Sequence, residues 1–301
     1  MGARHLLARG GDVPPRTAGR GAVSINGPVA ILGLGLVGGS LARDLSARGA
    51  IVWGFDVDAA ATRHAFRTGV ISRIVDTKLR ALEAARTVVL AVPVDEALTL
   101  LERAAPHVQH AALITDVGST KRRIVQRASA LGLAARFVGS HPMAGDHQAG
   151  WHASRRGLFE GARVDLCRAP ATSAAVWKRA QALWRAVGAK PVEHDAAMHD
   201  AEMALSSHLP QLLSLALAGT LASRAIERRR LGTGGKEMTR MAASSVEMWA
   251  AILDDNAVPV LDALETCLAQ LGALRGAVER HDRRAVAEAF AAARAWSERT
   301  T

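Results

Sequence analysis

Tyrosine is absent from this chain, cysteine occurs twice and phenylalanine five times. The two cysteines, Cys167 and Cys267, stand far apart, with no CxxC or His/Cys spacing around either. A disulfide framework and a zinc site are therefore not expected, and a reducing cytoplasm fits. His194, His199 and His208 do not offer a metal site either, because their spacing does not put three ligands on one helical face with an acidic partner. Long apolar runs are also missing. Met203 to Ser223 carries no formal charge, but Ser206, Ser207, His208, Pro210 and Gln211 fill its first half. A membrane span needs about 20 mostly apolar residues, so this one is not expected to cross a bilayer. Its remainder, Leu212 to Leu221, is apolar nearly all round, as in a helix buried in its own domain or between subunits. Residues 1–27 are rich in Gly, Arg and Pro and lack the continuous apolar segment of a signal peptide. A disordered tail is the expectation there.

The net charge of +10 raises the question of nucleic acid. Basic runs are confined to Lys121-Arg122-Arg123 and Arg228-Arg229-Arg230, and no aromatics interleave with them. That pattern is a poor nucleic-acid surface and suits the steering of a small anionic substrate.

What the chain does have is a regular alternation in its first half. Apolar runs at Val29–Leu32, Ile51–Phe55, Thr87–Val92, Leu113–Thr115 and Phe137–Val138 alternate with helical stretches, the first from Val37 to Arg48. Continuous apolar strands separated by helices indicate a parallel sheet with both faces covered. From about residue 171 the pattern turns helical: Ser173 to Val187, Ala196 to Arg228, Met238 to Asp254 and Ala257 to Arg294. The expected architecture is an α/β domain over residues 28–170 and an all-helical domain over 171–301.

Gly33-Leu34-Gly35-Leu36-Val37-Gly38 follows the first strand and opens the first helix. In that context a GxGxxG motif is a dinucleotide-binding turn of Rossmann type. The first Gly makes the turn, the second lets the backbone approach a pyrophosphate, and the third lets helix and strand pack closely. Asp56 ends the next strand, where a carboxylate binds the adenosine ribose and repels a 2′-phosphate. NAD is expected over NADP.

Two polar segments follow later strands and reach the same sheet edge: Thr115 to Lys121 and Gly139-Ser140-His141-Pro142-Met143-Ala144-Gly145. With Gly33 to Ser40, His199-Asp200, Ser207-His208-Leu209-Pro210, Thr239-Arg240 and Met248-Trp249, they resemble the prephenate/arogenate dehydrogenase family, over roughly residues 28–270. The resemblance implies an NAD-dependent oxidative decarboxylation in tyrosine biosynthesis. His141 would be the catalytic base and Ser119 would hydrogen-bond the ring hydroxyl. Arg240 would bind a substrate carboxylate, with Ser207, His208, Gln211 and Trp249 lining the substrate pocket. Val92 and Pro93 would flank the nicotinamide, and two chains would pair as a homodimer through the helical domain.

The residues themselves leave other readings open. His208 also reads as a core histidine, and Arg240 as a partner of Glu237 or Glu247. Where family members commonly carry a second histidine, three residues after the SHLP histidine, this chain has Gln211. Where they often carry an acid, two residues after the loop glycine, it has His147, preceded by Asp146. With Gln211 and His147 both non-acidic, prephenate is expected over arogenate, whose side chain bears an ammonium. An amino-deoxy-prephenate enzyme and a β-hydroxyacid or imine dehydrogenase are the alternatives.

Overall fold

In the computed structural model, residues 26–145 and 148–299 are described. The tail expected over residues 1–27 lies almost wholly outside them, as do Asp146 and His147. One sheet runs through the first two-thirds of the chain. Its strands are β1 (Val29–Leu32), β2 (Val52–Phe55), β3 (Arg73–Ile74), β4 (Thr87–Leu90), β5 (Leu113–Asp116), β6 (Phe137–Pro142), β7 (Arg163–Arg168) and β8 (Lys190–Glu193). They lie in the order β3-β2-β1-β4-β5-β6-β7-β8. All neighbours are parallel except β6 and β7.

Helices α1 (Leu36–Ala47), α2 (Ala59–Arg67), α3 (Val94–Ala104), α4 (Arg122–Ala130) and α5 (Ala174–Ala186) cover the faces. The strand period of two explains why the central strands read as unbroken apolar runs. Val29 and Ile31 point to the layer holding Leu41, Leu45 and Trp184, while Ala30 and Leu32 point to the layer holding Leu100, Leu101 and Ile124. Strand order reverses beside β1, and loops leaving the carboxyl ends there open a crevice.

The sheet does not stop near residue 170. Helix α5 packs on it and leads into β8, which pairs in parallel with β7. The all-helical part accordingly begins after Glu193. Strand β8 was invisible in the sequence because Lys-Pro-Val-Glu is short, polar and largely exposed at an edge, where neither apolar continuity nor alternation is required.

The helical part comprises α6 (Ala196–Met203), α7 (Leu209–Ser223), α8 (Thr233–Met238), α9 (Val246–Asp255), α10 (Ala257–Glu279) and α11 (Arg283–Glu298). The single helix expected from Ala196 is interrupted by a π-helical turn, Ala204–His208, between α6 and α7. Pro210 accounts for it: proline has no N–H to give to the carbonyl four residues back, and its ring crowds that carbonyl. The helix expected from Ala257 breaks at His281 (φ 55°), and Asp282 caps α11 by accepting from the Ala285 amide at 3.0 Å. Burial of Leu212 to Leu221 inside the helical part does not occur, since within one chain only Gln211 and Ser214 of α7 are buried. On α10, Leu261, Leu268, Leu271 and Leu274 are exposed as well. Helix α10 is, among the described residues, the one helix long and apolar enough to cross a membrane.

A buried ion pair fixes the sheet edge that carries the loops. Lys121 Nζ pairs with Asp116 Oδ2, and both side chains are almost fully enclosed. The same carboxylate accepts from the Gly118 amide at 2.9 Å and the Ser140 amide at 3.1 Å. It thereby ties the loop after β5 to β6. Removing one member of such a pair leaves an uncompensated buried charge. Lys121→Met is therefore expected to lower the unfolding free energy by about 3–5 kcal/mol, measured by urea titration; a loss under about 1 kcal/mol would contradict this role.

Candidate active site

The glycine turn after β1 is built for a dinucleotide. Gly33 has φ +101°, and a Cβ there would stand 2.2 Å from the Ala91 carbonyl oxygen. A Cβ on Gly38 would stand 2.0 Å from the Gly33 carbonyl oxygen, so both positions exclude side chains. Gly35 differs, because nothing lies within 4 Å of where its Cβ would be. That open space adjoins the start of α1, which Leu36 begins and which no side chain caps. Free amides and a positive helix end therefore face a cradle that a pyrophosphate fits. Asp56 stands at the end of β2, its Oδ2 accepting from the Leu34 amide at 2.6 Å and its Oδ1 from the Asp58 amide at 2.8 Å. The carboxylate is thus held against the glycine turn, where a ribose would bind. Val92 packs beside Gly33, and Pro93 caps α3 at the end of the neighbouring strand.

A cavity of about 440 Å³ opens between this sheet edge and the helical part. Ser119, from the loop after β5, and His141, at the end of β6, line one wall. Ser207 and His208 from the π turn, with Trp249 from α9, line another. These five of the expected site residues are brought together. The His208 and Trp249 rings meet edge to face, with centroids 5.8 Å apart. Two expected residues are not there. Gln211 is buried behind the wall and donates to the Met241 carbonyl at 2.8 Å, while Arg240 stands exposed at the start of the 3-10 turn Arg240–Ala243. No ion pair joins Arg240 to Glu237 or Glu247 among the described residues. The guanidinium on the cavity wall belongs to Arg163, beside the carboxylate of Glu202.

Hydrogen bonds define what each histidine presents. The Asp200 carboxylate accepts from the amides of Lys121 at 2.7 Å and Arg122 at 2.8 Å, at the start of α4. Its Oδ1 also lies 2.8 Å from His199 Nδ1, and His199 Nε2 lies 3.0 Å from His141 Nδ1. A carboxylate only accepts, so His199 carries its proton on Nδ1 and offers a lone pair at Nε2. His141 then donates from Nδ1, which leaves Nε2 as a free base. Burial first, then the neighbouring His199 and Lys121, and after them His208 and Arg163, hold the His141 imidazole well below its ordinary value. Burial also raises the cost of ionising Asp200, but the bonds from His199, Arg122 and Lys121 outweigh it and keep the carboxyl below its ordinary value.

His208 is arranged the other way. Asn256 Nδ2 donates to the Asp200 carbonyl at 2.7 Å, which orients the amide, and lies 3.2 Å from His208 Nδ1. That nitrogen accepts, so His208 carries its proton on Nε2 as a donor. Burial pushes its pKa down to about 4, so it is neutral at physiological pH. The site thus combines one imidazole base with one imidazole donor.

Sequence reasoning noted His199-Asp200 but gave the pair no role, and it missed Asn256, Arg163 and Glu202 altogether. The adjacency of His199 and Asp200 was the available signal for that pair. Arg163 had no signal in the sequence: its place follows from the pairing of β7 with β6, in which Asp165 and Val164 stand opposite His141 and Pro142.

Residues 41–193 match the model of the prephenate dehydrogenase nucleotide-binding domain, and residues 195–292 that of the prephenate dehydrogenase dimerization domain. The chain is 33% identical over 262 residues to the prephenate dehydrogenase of Bacillus subtilis, spanning 84% of this chain and 71% of that protein. Its fold is similar to that of the A. aeolicus prephenate dehydrogenase solved with hydroxyphenyl propionate and NAD+, with a TM-score of 0.85 at 26% identity over 93% of this chain and 100% of that one. A putative prephenate dehydrogenase from Corynebacterium glutamicum gives a TM-score of 0.81 at 32% identity, covering 91% of this chain and 90% of that one. These matches join the dinucleotide turn to the histidine-lined cavity in one kind of molecule, and the chain belongs to the prephenate dehydrogenase family.

Proposed function

We propose that this chain is an NAD-dependent dehydrogenase that converts prephenate to 4-hydroxyphenylpyruvate, with His141 as the base. The observation that carries this reading is the Asp200–His199–His141 hydrogen-bonded chain, whose geometry leaves His141 Nε2 without a proton, beside a cavity that Ser119 and His208 also line. Bound at the glycine turn, with Asp56 at its ribose, NAD+ supplies the acceptor for the hydrogen that leaves ring carbon C4 with its electron pair. His141 Nε2 takes the C4 hydroxyl proton as that carbon becomes a carbonyl. The bond to the ring carboxylate then breaks, CO₂ departs, the ring becomes aromatic, and His141 returns the proton to the phenolate oxygen. Ser119 hydrogen-bonds the C4 oxygen. Arg163 is the cation on the wall placed to meet a substrate carboxylate, while Ser207, His208 and Trp249 enclose the ring.

Glu202 supports arogenate as a second substrate. A carboxylate on the cavity wall complements the ammonium that arogenate carries where prephenate has a ketone. The preference for prephenate drawn from Gln211 and His147 loses its footing here, since Gln211 lies outside the cavity and His147 outside the described residues. We place the enzyme in the cytoplasm, and its subunits in a homodimer joined through the exposed apolar faces of α7 and α10. An apolar surface of that extent calls for a partner.

NADH formation with prephenate and with arogenate, each with NAD+ and NADP+, tests the reading. Turnover with prephenate and NAD+ is expected, and none with either substrate would refute it. His141→Asn should lower kcat by about 10²-fold or more without loss of NAD+ binding. Because the neutral imidazole is the active form and its pKa is lowered, kcat/KM should be level through neutral pH and fall only on the acid side of 6.5. An acid limb centred above that value would contradict the assignment. Light scattering should give twice the mass of one chain, and a monomer would refute the proposed pairing.

A further inference from the structure

We propose that His199 and Asp200 are positioning residues that hold His141 in the tautomer and orientation that leave its Nε2 unprotonated. The inference rests on the reading of His141 as the base. Asp200 has an evident structural role, since it accepts the first amides of α4. That role explains nothing about residue 199, where an apolar side chain of similar shape would fill the same space. Instead a fully buried imidazole stands there, both of its nitrogens engaged, one by the carboxylate and one by His141.

A second carboxylate reinforces the point. Asp165 is fully buried, pairs with His141 across the β6–β7 ladder, and brings Oδ2 to 4.0 Å from His199 Nε2. That Oδ2 has no hydrogen-bond partner among the described residues. Its other oxygen accepts from Arg163 Nε at 2.6 Å. His199 thus has the Asp200 carboxylate at the end of its ring remote from His141 and the Asp165 carboxylate beside the nitrogen that meets His141. When His141 takes the substrate proton at Nε2, it becomes a cation that still donates from Nδ1 to His199. The negative charge of Asp200 lies behind that bond, and that of Asp165 beside it. The arrangement follows the logic by which a buried carboxylate orients a catalytic histidine, extended by one imidazole. No proton needs to leave His199 for it to work.

Two substitutions separate positioning from packing. In His199→Asn the amide can still donate to Asp200 but is too short to reach His141. In His199→Gln the longer side chain can place its carbonyl oxygen where Nε2 now accepts. Both are measured in the full chain for kcat, KM for prephenate, NAD+ affinity and the His141 tautomer by ¹⁵N NMR. His199→Asn should lower kcat by about 10²-fold with KM and NAD+ affinity within about threefold of wild type, and His199→Gln should recover about tenfold of that loss. His141 should carry its proton on Nδ1 in wild type and in the Gln variant, and become a mixture of tautomers in the Asn variant. An Asn variant as fast as wild type, or a His141 whose tautomer does not respond to it, overturns the pair. A wild-type enzyme inactive toward prephenate overturns the substrate reading instead, and the tautomer comparison then decides the pair by itself.

Discussion

Everything at this site depends on how one buried carboxylate is satisfied. A carboxylate out of water costs several kcal/mol unless its lone pairs are taken up, and Asp200 has them taken up from two directions. The start of α4 supplies backbone amides from the sheet half, and His199 supplies an imidazole N–H from the helical half. Asp200 is therefore a junction between the halves as well as an electrostatic anchor. Its backbone carbonyl contributes separately, by orienting Asn256 against His208. One residue thus sets both imidazoles, His141 through its side chain and His208 through its main chain, and it sets them in opposite senses. A site that must accept a proton at one point and donate a hydrogen bond at another needs that opposition.

The sheet makes the arrangement rigid. Strand β5 ends beside the middle of β6, and the Asp116 carboxylate binds the turn after β5 to the backbone of β6. Lys121 neutralises that carboxylate within the same loop. Lys121 and Arg163 also bear on His141, and with burial they favour its neutral form at physiological pH. The ion pair that stabilises the loops therefore helps to tune the base they carry. On the opposite wall, Pro210 forces the wide turn that carries Ser207 and His208 to the cavity, so a local break in helix geometry places functional side chains.

Much of this was legible in the sequence wherever function is written in local backbone chemistry. Gly33, Gly35 and Gly38 announce their turn because no other residue fits two of those positions and the third adjoins open space. Asp56 and His141 could be placed because each ends an apolar strand, and strand ends on one edge of a parallel sheet converge. The rest depended on tertiary contacts that have no local signature. Gln211 follows the π turn and Arg240 opens a 3-10 turn beyond α8, and which way they face is decided by how α7 and the 3-10 turn pack, not by spacing along the chain. Arg163 lies on a strand preceded by no apolar run. The His199 imidazole is an ordinary helical residue until β6 is laid beside it.

In the proposed mechanism His141 Nε2 is the atom presented to the ring oxygen. A crystal structure of the chain with NAD+ and a 4-hydroxyphenyl product analogue tests it most directly. The phenolic oxygen is expected within hydrogen-bonding distance of His141 Nε2, with His141 Nδ1 still on His199. A phenolic oxygen bound at His208 instead, or a His141 ring turned so that Nδ1 faces the ligand, would contradict it.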